Sequence, residues 1–401
     1  MSLIRAEFAL QQSHGMREHY EVSESKDKTA AGVRILVFLL GSIGDSVVSI
    51  PAIRAIRRHF GEAAVIDVLN DHNPSVKKAP GDVFGAKRMI QGYVQYKYAD
   101  GFFPKVASAF SLWRALRSNA YDVVVYLAPG ERTRRQAMRD SLFFRICGIK
   151  SRIGFFETSP AKLPAVSSDG ILPEVAHESA KRLDRLRASD IGFSTEEVYA
   201  IPLIDLAPDL VAEAQKWLQQ ERLRPERPLV ALCPYPKQPA KAWRFDAWMD
   251  LGHKLMKDRE FELVLIGGRE DSDMAGRLLR HWGGGLDATG RFTVQGSAAL
   301  MQLCTVVIGV DSGPIHLAAA VGTRVIGLFS GVENPGRWEP LGNGHVFLRH
   351  AVTCAGCRLI MTPCPVSGHP CLESITPAQV LNALDRLLNK EQSSETEIVY
   401  V

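Results

Sequence analysis

The feature that most constrains this chain is an alternation, run through twice, of short apolar stretches and amphipathic segments of helical period. Val33-Arg-Ile-Leu-Val-Phe-Leu-Leu40 is β-branched and aromatic and is broken by Gly41-Ser-Ile-Gly44. Helical periodicity follows over about Asp45–Phe60, with Pro51 as a local irregularity. Ala64–Leu69 and Tyr121–Leu127 read as further strands, Ser151–Phe155 as a short one, and Ser111–Arg117 as a helix. The second half repeats the rhythm, with strands at Leu229–Cys233, Phe261–Ile266, Val306–Val310 and Arg324–Phe329. Between them lie helices at Phe245–Asp258 and near Met274–Trp282, and a periodic final helix spans Thr376–Asn389. Strands alternating with helices give a parallel sheet with crossover connections, so the chain is α/β, with two Rossmann-like doubly wound units in tandem.

Length and composition agree. At roughly 150 residues per domain, 401 residues make two or three units, and 46% hydrophobic with 23% charged residues is ordinary for a globular core. Prolines 202, 208, 225 and 228 set the junction between Leu203 and Pro228. The expected division is a flexible polar extension over 1–31, an N-terminal domain over 32–205, a C-terminal domain over 206–390 and a frayed tail over 391–401. The last helix is free to pack back onto the N-terminal domain. A net charge of +4 falls short of a nucleic-acid binder and suits anionic small molecules or an anionic membrane surface. No stretch approaches the ~18–20 apolar residues of a membrane span, and the first residues lack the apolar core of a secretory signal, so the expected location is cytoplasmic.

Two segments carry chemistry. In the first, a strand, a glycine turn and a helix N-terminus bring Gly44 and Asp45 to the crevice end of a sheet. Asp45 reads alternatively as a plain helix cap. A dinucleotide fingerprint needs a third glycine and no acid where the pyrophosphate would sit, which argues against a nicotinamide or flavin. In the second, Asp311-Ser-Gly-Pro-Ile-His316 follows a buried strand. Asp311 or Ser312 caps, Pro314 suits the first turn, and the Ser312 and Gly313 amides are open to an anion. His316 lies within reach of the same anion or is simply packed. Lys241, beside Ala242 and Trp243, reads as a ligand to phosphate or as an ordinary surface lysine. Asp271-Ser-Asp273 suits a helix N-terminus rather than a metal.

Three further groups are conspicuous. Arg54, Arg57 and Arg58 share a helix face, and Arg134 and Arg135 follow the third strand; each reads as a solvated face or, together, as a site for a phosphorylated or acidic acceptor. Cys354, Cys357, Cys364 and Cys371 are spaced C-x2-C-x6-C-x6-C, close enough for a structural zinc or iron, or for bare thiols. Cys147, Cys233 and Cys304 sit in apolar contexts and read as inert core thiols.

Taken in order, Gly44-Asp45 with Pro51-Ala-Ile-Arg54, Pro239-Ala-Lys-Ala-Trp243, Gly267-Gly-Arg-Glu270, Asp311-Ser-Gly-Pro-Ile-His-Leu-Ala-Ala-Ala320 and Pro335-Gly-Arg-Trp338 resemble the hallmark stretches of glycosyltransferase family 9, the ADP-heptose:lipopolysaccharide heptosyltransferases. The resemblance runs from about residue 33 to 385 and is loose over 70–200. It implies a GT-B architecture, two such domains facing across a cleft, and an inverting transfer of heptose from ADP-heptose to a lipopolysaccharide-core or related acceptor. Asp45 then matches the general base, and Lys241, the Ser312 and Gly313 amides and His316 would stabilise the leaving nucleotide diphosphate. Glu270 would take the ribose hydroxyls, with Gly44 and Asp311 also on the donor side. No cofactor is required by that chemistry. The partners implied are a nucleotide-diphosphate sugar and an anionic glycolipid or glycan, without nucleic acid, and with peripheral contact to the cytoplasmic face of the inner membrane open. The competing readings are a GT-B nucleotide-sugar epimerase and a sugar-nucleotide-binding protein without turnover.

Overall fold

The strands form because their β-branched runs can be buried on both faces, as a parallel sheet covered by helices requires. In the computed structural model, which describes residues 32–72, 81–84, 89–97, 101–128, 132–155, 164–359, 361–389 and 395–401, twelve such strands fall into two sheets. The first holds β1 (Arg34–Phe38), β2 (Val65–His72), β3 (Gly92–Lys97), β4 (Val123–Tyr126) and β5 (Ser151–Ile153), in the order β3-β2-β1-β4-β5. The second holds β6 (Leu229–Cys233), β7 (Glu262–Leu265), β8 (Leu286–Asp287), β9 (Val306–Val310), β10 (Val325–Leu328), β11 (Val346–Arg349) and β12 (Glu397–Tyr400), in the order β12-β11-β10-β9-β6-β7-β8. Every pairing is parallel. The strand order reverses at β1/β4 in one sheet and at β6/β9 in the other, and the crevices above these switch points are where such sheets bind ligands.

Side chains alternate between cores as the pleat demands. Ile35, Val37 and Leu39 enter one cluster and Leu36 and Phe38 another. In the second sheet Leu229, Ala231 and Cys233 join the first cluster, while Val230 and Leu232 enter a third. The first cluster therefore runs without a break from one sheet to the other, and Val33–Val401 makes one compact unit.

Several expectations change in detail. The long helix after β1 is two helices, Ile43–Val47 and Ile50–Phe60. Pro51 has no N–H to donate and would cost about 3 kcal/mol inside a helix, so it sits at the start of the second one. The helix read at Ser111–Arg117 extends over Phe102–Asn119. The tail is not frayed throughout: Glu397–Tyr400 pairs with the open edge of β11, where Ile398, Val399 and Tyr400 supply strand-forming side chains. The final helix, Pro377–Asn389, packs within its own lobe against Phe245–Lys257, β10 and β11. Residues 1–31, expected to be a flexible extension, and the first part of the expected tail, 391–394, lie outside the described residues.

The junction is held from both sides. Arg54 donates to the carbonyls of Val198, Ala200, Pro202 and Leu203, and Ala320 O, at the end of the helix Gly313–Ala320, accepts from Leu203 and Ile204 N–H. After it, helix Pro208–Glu221 packs on Val294–Gln302 of the second lobe, with Trp217 edge-on to Phe292.

Candidate active site

Asp45 sits in the third position of the helix Ile43–Val47, capped at Ser42. Its Oδ2 accepts from the Ser42 backbone N–H at 2.8 Å and from Ser42 Oγ at 3.2 Å, half of a reciprocal capping box. The carboxylate folds back so far that a Cβ on Gly41 would lie 2.4 Å from Asp45 Cγ, and Gly41 has φ +125°. Only glycine fits both demands. The cap and the candidate base are thus the same group: the turn that caps the helix also fixes the carboxylate.

The helix Glu178–Arg187 supplies what the sequence did not disclose. Arg182, fully buried, donates from Nη1 to Asp45 O at 2.8 Å and to Ser49 Oγ at 2.5 Å, and its Nη2 stands 3.7 Å from Asp45 Oδ1. Nη2 has no hydrogen-bond partner in the protein. Asp45 keeps 18% of its side-chain exposure. Burial pushes its pKa up; Arg182 and the Ser42 hydrogen bonds pull it back, and the net direction is upward. That direction is what a general base needs, because a stronger base takes a hydroxyl proton more readily.

One helical turn before Arg182, Glu178 pairs with Lys181 at 2.9 Å and, across the lobes, with Arg337 Nε at 2.9 Å. Burial alone would raise the Glu178 carboxyl, but the two cations outweigh it and hold it at about 2. Arg337 also pairs with Glu333 at 2.6 Å, and the backbone between Val175 and Glu178 bonds to Pro335 O and Arg337 O. His177 accepts from Ser179 N–H on Nδ1, so its Nε2 carries the proton and donates to Glu339 O at 2.9 Å. Burial pushes its pKa down to about 4, leaving it neutral. In sequence these residues read as the solvated i, i+3 and i, i+4 charges of any surface helix; only their burial marks them.

In the second lobe, the switch point at β6/β9 gathers the other set. Lys241, on the short turn Pro239–Lys241 after β6, pairs with Asp311 at the end of β9 at 2.6 Å, and both are buried or nearly so. Lys241 is therefore no loose surface lysine; Asp311 spends its carboxylate holding it. Ser312 stands at the N-cap position of the helix Gly313–Ala320, its hydroxyl donating to Val310 O at 3.1 Å, with Pro314 in the first turn. Glu270 stands exposed on the turn Arg269–Asp271 after β7, its carboxylate lying over Gly268, while Asp271 Oδ2 accepts from Gly268 N–H at 2.7 Å. Asp271 is a turn cap, as its position before a helix suggested.

The two sets meet. A Cβ on Gly44 would lie 3.2 Å from His316 Cδ2, and one on Gly313 2.9 Å from Ile43 Cβ. The helix of Asp45 thus packs on the helix of Ser312, glycine against side chain on both sides. His316 is buried in that contact; burial drives its pKa down to about 4 against the pull of Asp311, and its Nδ1 has no partner in the protein. It is thus a neutral imidazole packed between the lobes.

Of the acceptor candidates, Arg134 and Arg135 are exposed at the start of the helix Arg134–Ile146, which follows β4. Arg54 is not available in the same way, because four carbonyls take its guanidinium. Cys354, Cys357, Cys364 and Cys371 line one narrow cavity with His369 and apolar neighbours, bordering Ala240 on the Lys241 turn. Among the described residues, however, no three His, Cys, Asp or Glu side chains are set to share an ion, and burial holds the Cys371 thiol up at about 11. The cluster gathers its four thiols and His369 around that one cavity. Cys147, Cys233 and Cys304 are buried core thiols.

Comparison with known proteins accords with this geometry. Residues 109–364 match the glycosyltransferase family 9 (heptosyltransferase) profile. Lipopolysaccharide heptosyltransferase 2 of Escherichia coli K12 is 27% identical over 194 residues, 46% of this chain and 54% of the relative, so the chain spans about half the length of that protein. Lipopolysaccharide heptosyltransferase 3 of Escherichia coli is 24% identical over 325 residues, 76% of this chain and 85% of the relative. Among solved structures, a family 9 glycosyl transferase from Veillonella parvula superposes with TM-score 0.66 at 18% identity, covering 89% of this chain and 97% of that one. Escherichia coli ADP-heptose lipopolysaccharide heptosyltransferase II gives 0.59 at 20%, covering 89% and 98%. With the expected GT-B pair of Rossmann-like lobes in place and the family profile matched over most of its length, this chain belongs to glycosyltransferase family 9.

Proposed function

We propose that the protein is an inverting glycosyltransferase that moves heptose from ADP-heptose to a lipopolysaccharide-core or related glycolipid acceptor. The observation that carries the reading is the packing of the Asp45 helix against the Ser312 helix, which sets a partly exposed, base-strengthened carboxylate opposite a lysine and a helix N-terminus. Neither lobe alone offers both. An acceptor hydroxyl entering from the first lobe gives its proton to Asp45 as its oxygen attacks the anomeric carbon. The bond from that carbon to the diphosphate oxygen breaks on the opposite side, and the configuration inverts. The charge gathering on the diphosphate is met by Lys241, held in place by Asp311, and by the Ser312 and Gly313 amides. Glu270 accepts from the ribose hydroxyls. Arg134 and Arg135 meet acidic groups of the acceptor, and Arg54 supports the junction instead. No step runs through the cysteine loop, which braces the Lys241 turn. The amphiphilic acceptor brings the enzyme to a membrane surface as a peripheral protein; among the described residues no helix is long and apolar enough to cross one.

The test is nucleotide release from ADP-heptose with delipidated core oligosaccharide, comparing wild type with Asp45→Asn. Loss of the base lowers kcat by roughly 10²- to 10⁴-fold. Acceptor-dependent release that persists in Asp45→Asn would remove Asp45 from its role; binding without release in wild type would favour a binding protein.

A further inference from the structure

The first lobe carries a surface that its core does not explain. On the helix Phe102–Asn119, Leu112 and Leu116 face the sheet. Phe102 and Phe103 are 75% and 82% exposed, and Val106 and Phe110 continue the same outward stripe. On the neighbouring helix Arg134–Ile146, Ala137 and Phe144 face the same core, while Met138, Leu142 and Ile146, at i, i+4 and i+8, stand exposed. The two helices cover one face of the sheet side by side, with Arg117 Nη1 3.6 Å from where a side chain on Gly148 would stand. Isolated exposed hydrophobics are normal, but two adjoining helical stripes of them are not.

Charge says what covers the stripes. The first helix carries Lys105, Arg114 and Arg117 and no acid. The second carries Arg134, Arg135, Arg139 and Arg145 against one acid, Asp140, whose carboxylate is taken by Arg132, Arg139 and the Tyr126 hydroxyl. A second copy of this chain docking face to face would set these cations against their own images. A basic face interleaved with phenylalanine, leucine and methionine instead matches an anionic lipid surface, where aromatic and aliphatic side chains enter the acyl boundary and cations meet headgroups. We propose that helices Phe102–Asn119 and Arg134–Ile146 form the face by which this protein docks on a bilayer containing anionic lipid. The proposal deepens the functional reading, since it names the surface that brings a glycolipid acceptor to the cleft. The N-termini of both helices follow β3 and β4, and therefore lie at the crevice end of the sheet.

The experiment is flotation of the full chain with phosphatidylethanolamine–phosphatidylglycerol vesicles and, separately, with phosphatidylcholine vesicles. Wild type floats with the first. A Phe103→Ser/Leu142→Ser variant loses partition by roughly tenfold or more at any salt concentration. An Arg114→Glu/Arg145→Glu variant loses as much on phosphatidylglycerol but leaves residual binding to phosphatidylcholine unchanged. Both keep wild-type nucleotide release with the delipidated acceptor, which also reports that they fold. Flotation unchanged in both variants overturns the proposal. So does a wild-type dimer that ignores vesicles and that both variants dissociate, which would assign the face to a second copy. Flotation as expected, with no nucleotide release in wild type, would sink the transferase reading and leave the docking face standing.

Discussion

At Asp45, burial raises the carboxyl and Arg182 lowers it. The two effects oppose each other through a separation of 3.7 Å, with no hydrogen bond between Nη2 and Oδ1. On the proposed mechanism Arg182 acts through Asp45, as a positioning residue. Replacing it by methionine removes the charge that favours the ionised base, so the acid limb of the kcat/KM profile moves to higher pH. Arg182→Lys keeps a cation and moves it less. A merely structural arginine would lower activity at every pH without displacing the limb, and a pH–rate series on the two variants separates these outcomes. Asp45 itself was legible from sequence as a cap or a base; the structure shows the cap, and the base is the role proposed for it. Arg182 was not legible, because 137 positions separate it from Asp45 and nothing in its local spacing distinguishes it from Arg185 or Arg187.

Among the elements, the helix pair Ile43–Val47 and Gly313–Ala320 decides whether the site exists. Its approach depends on glycine at 44 and 313, because a Cβ at either would press on His316 or on Ile43. Gly313→Ala places a methyl 2.9 Å from Ile43 Cβ, closer than such atoms approach, and the helices must part. Overpacking of this kind costs about 1–3 kcal/mol. The expected outcome is a lower urea midpoint together with a several-fold loss of kcat. Wild-type kcat with only the stability loss would mean that catalysis does not need the lobes this close. Both strand–turn–helix units were readable, from apolar runs, Asp-Ser-Gly-Pro and Pro51. The split at Pro51 follows from a missing N–H; β12 was missed because its strand character appears only beside an open sheet edge.

For the whole molecule, an apolar cluster and a polar network centred on Glu178 help to join the lobes. The network turns on Glu178, held at about 2 by Lys181 and Arg337 despite its burial. A carboxyl with a folded pKa below its unfolded one stabilises fully above the unfolded pKa near 4.5 and loses that contribution as pH falls toward 2. Neutral His177, at about 4 against an ordinary 6.5, adds a loss of its own from about pH 6.5 down to 4, where the unfolded chain takes a proton that the folded one refuses. Urea midpoints should therefore fall steeply between about pH 5 and 2. In Glu178→Gln, the midpoint should be lower at pH 7 and flatter across that range. An unaltered acid slope in Glu178→Gln would place the acid sensitivity elsewhere.

Local patterns along the chain specify the two α/β lobes, the crevice ends that carry Asp45, Lys241 and Asp311, and the family they belong to. All of these rest on local patterns: period, glycine turns, caps and short motifs. The tertiary structure was needed to turn Arg54 to the junction carbonyls, to bury His316 between the lobes, to gather the cysteines round one cavity and to set Arg182 beside Asp45. Those outcomes depend on which groups lose water and which charges then stand beside them. Burial and proximity are properties of the assembled chain, and no window along it contains them.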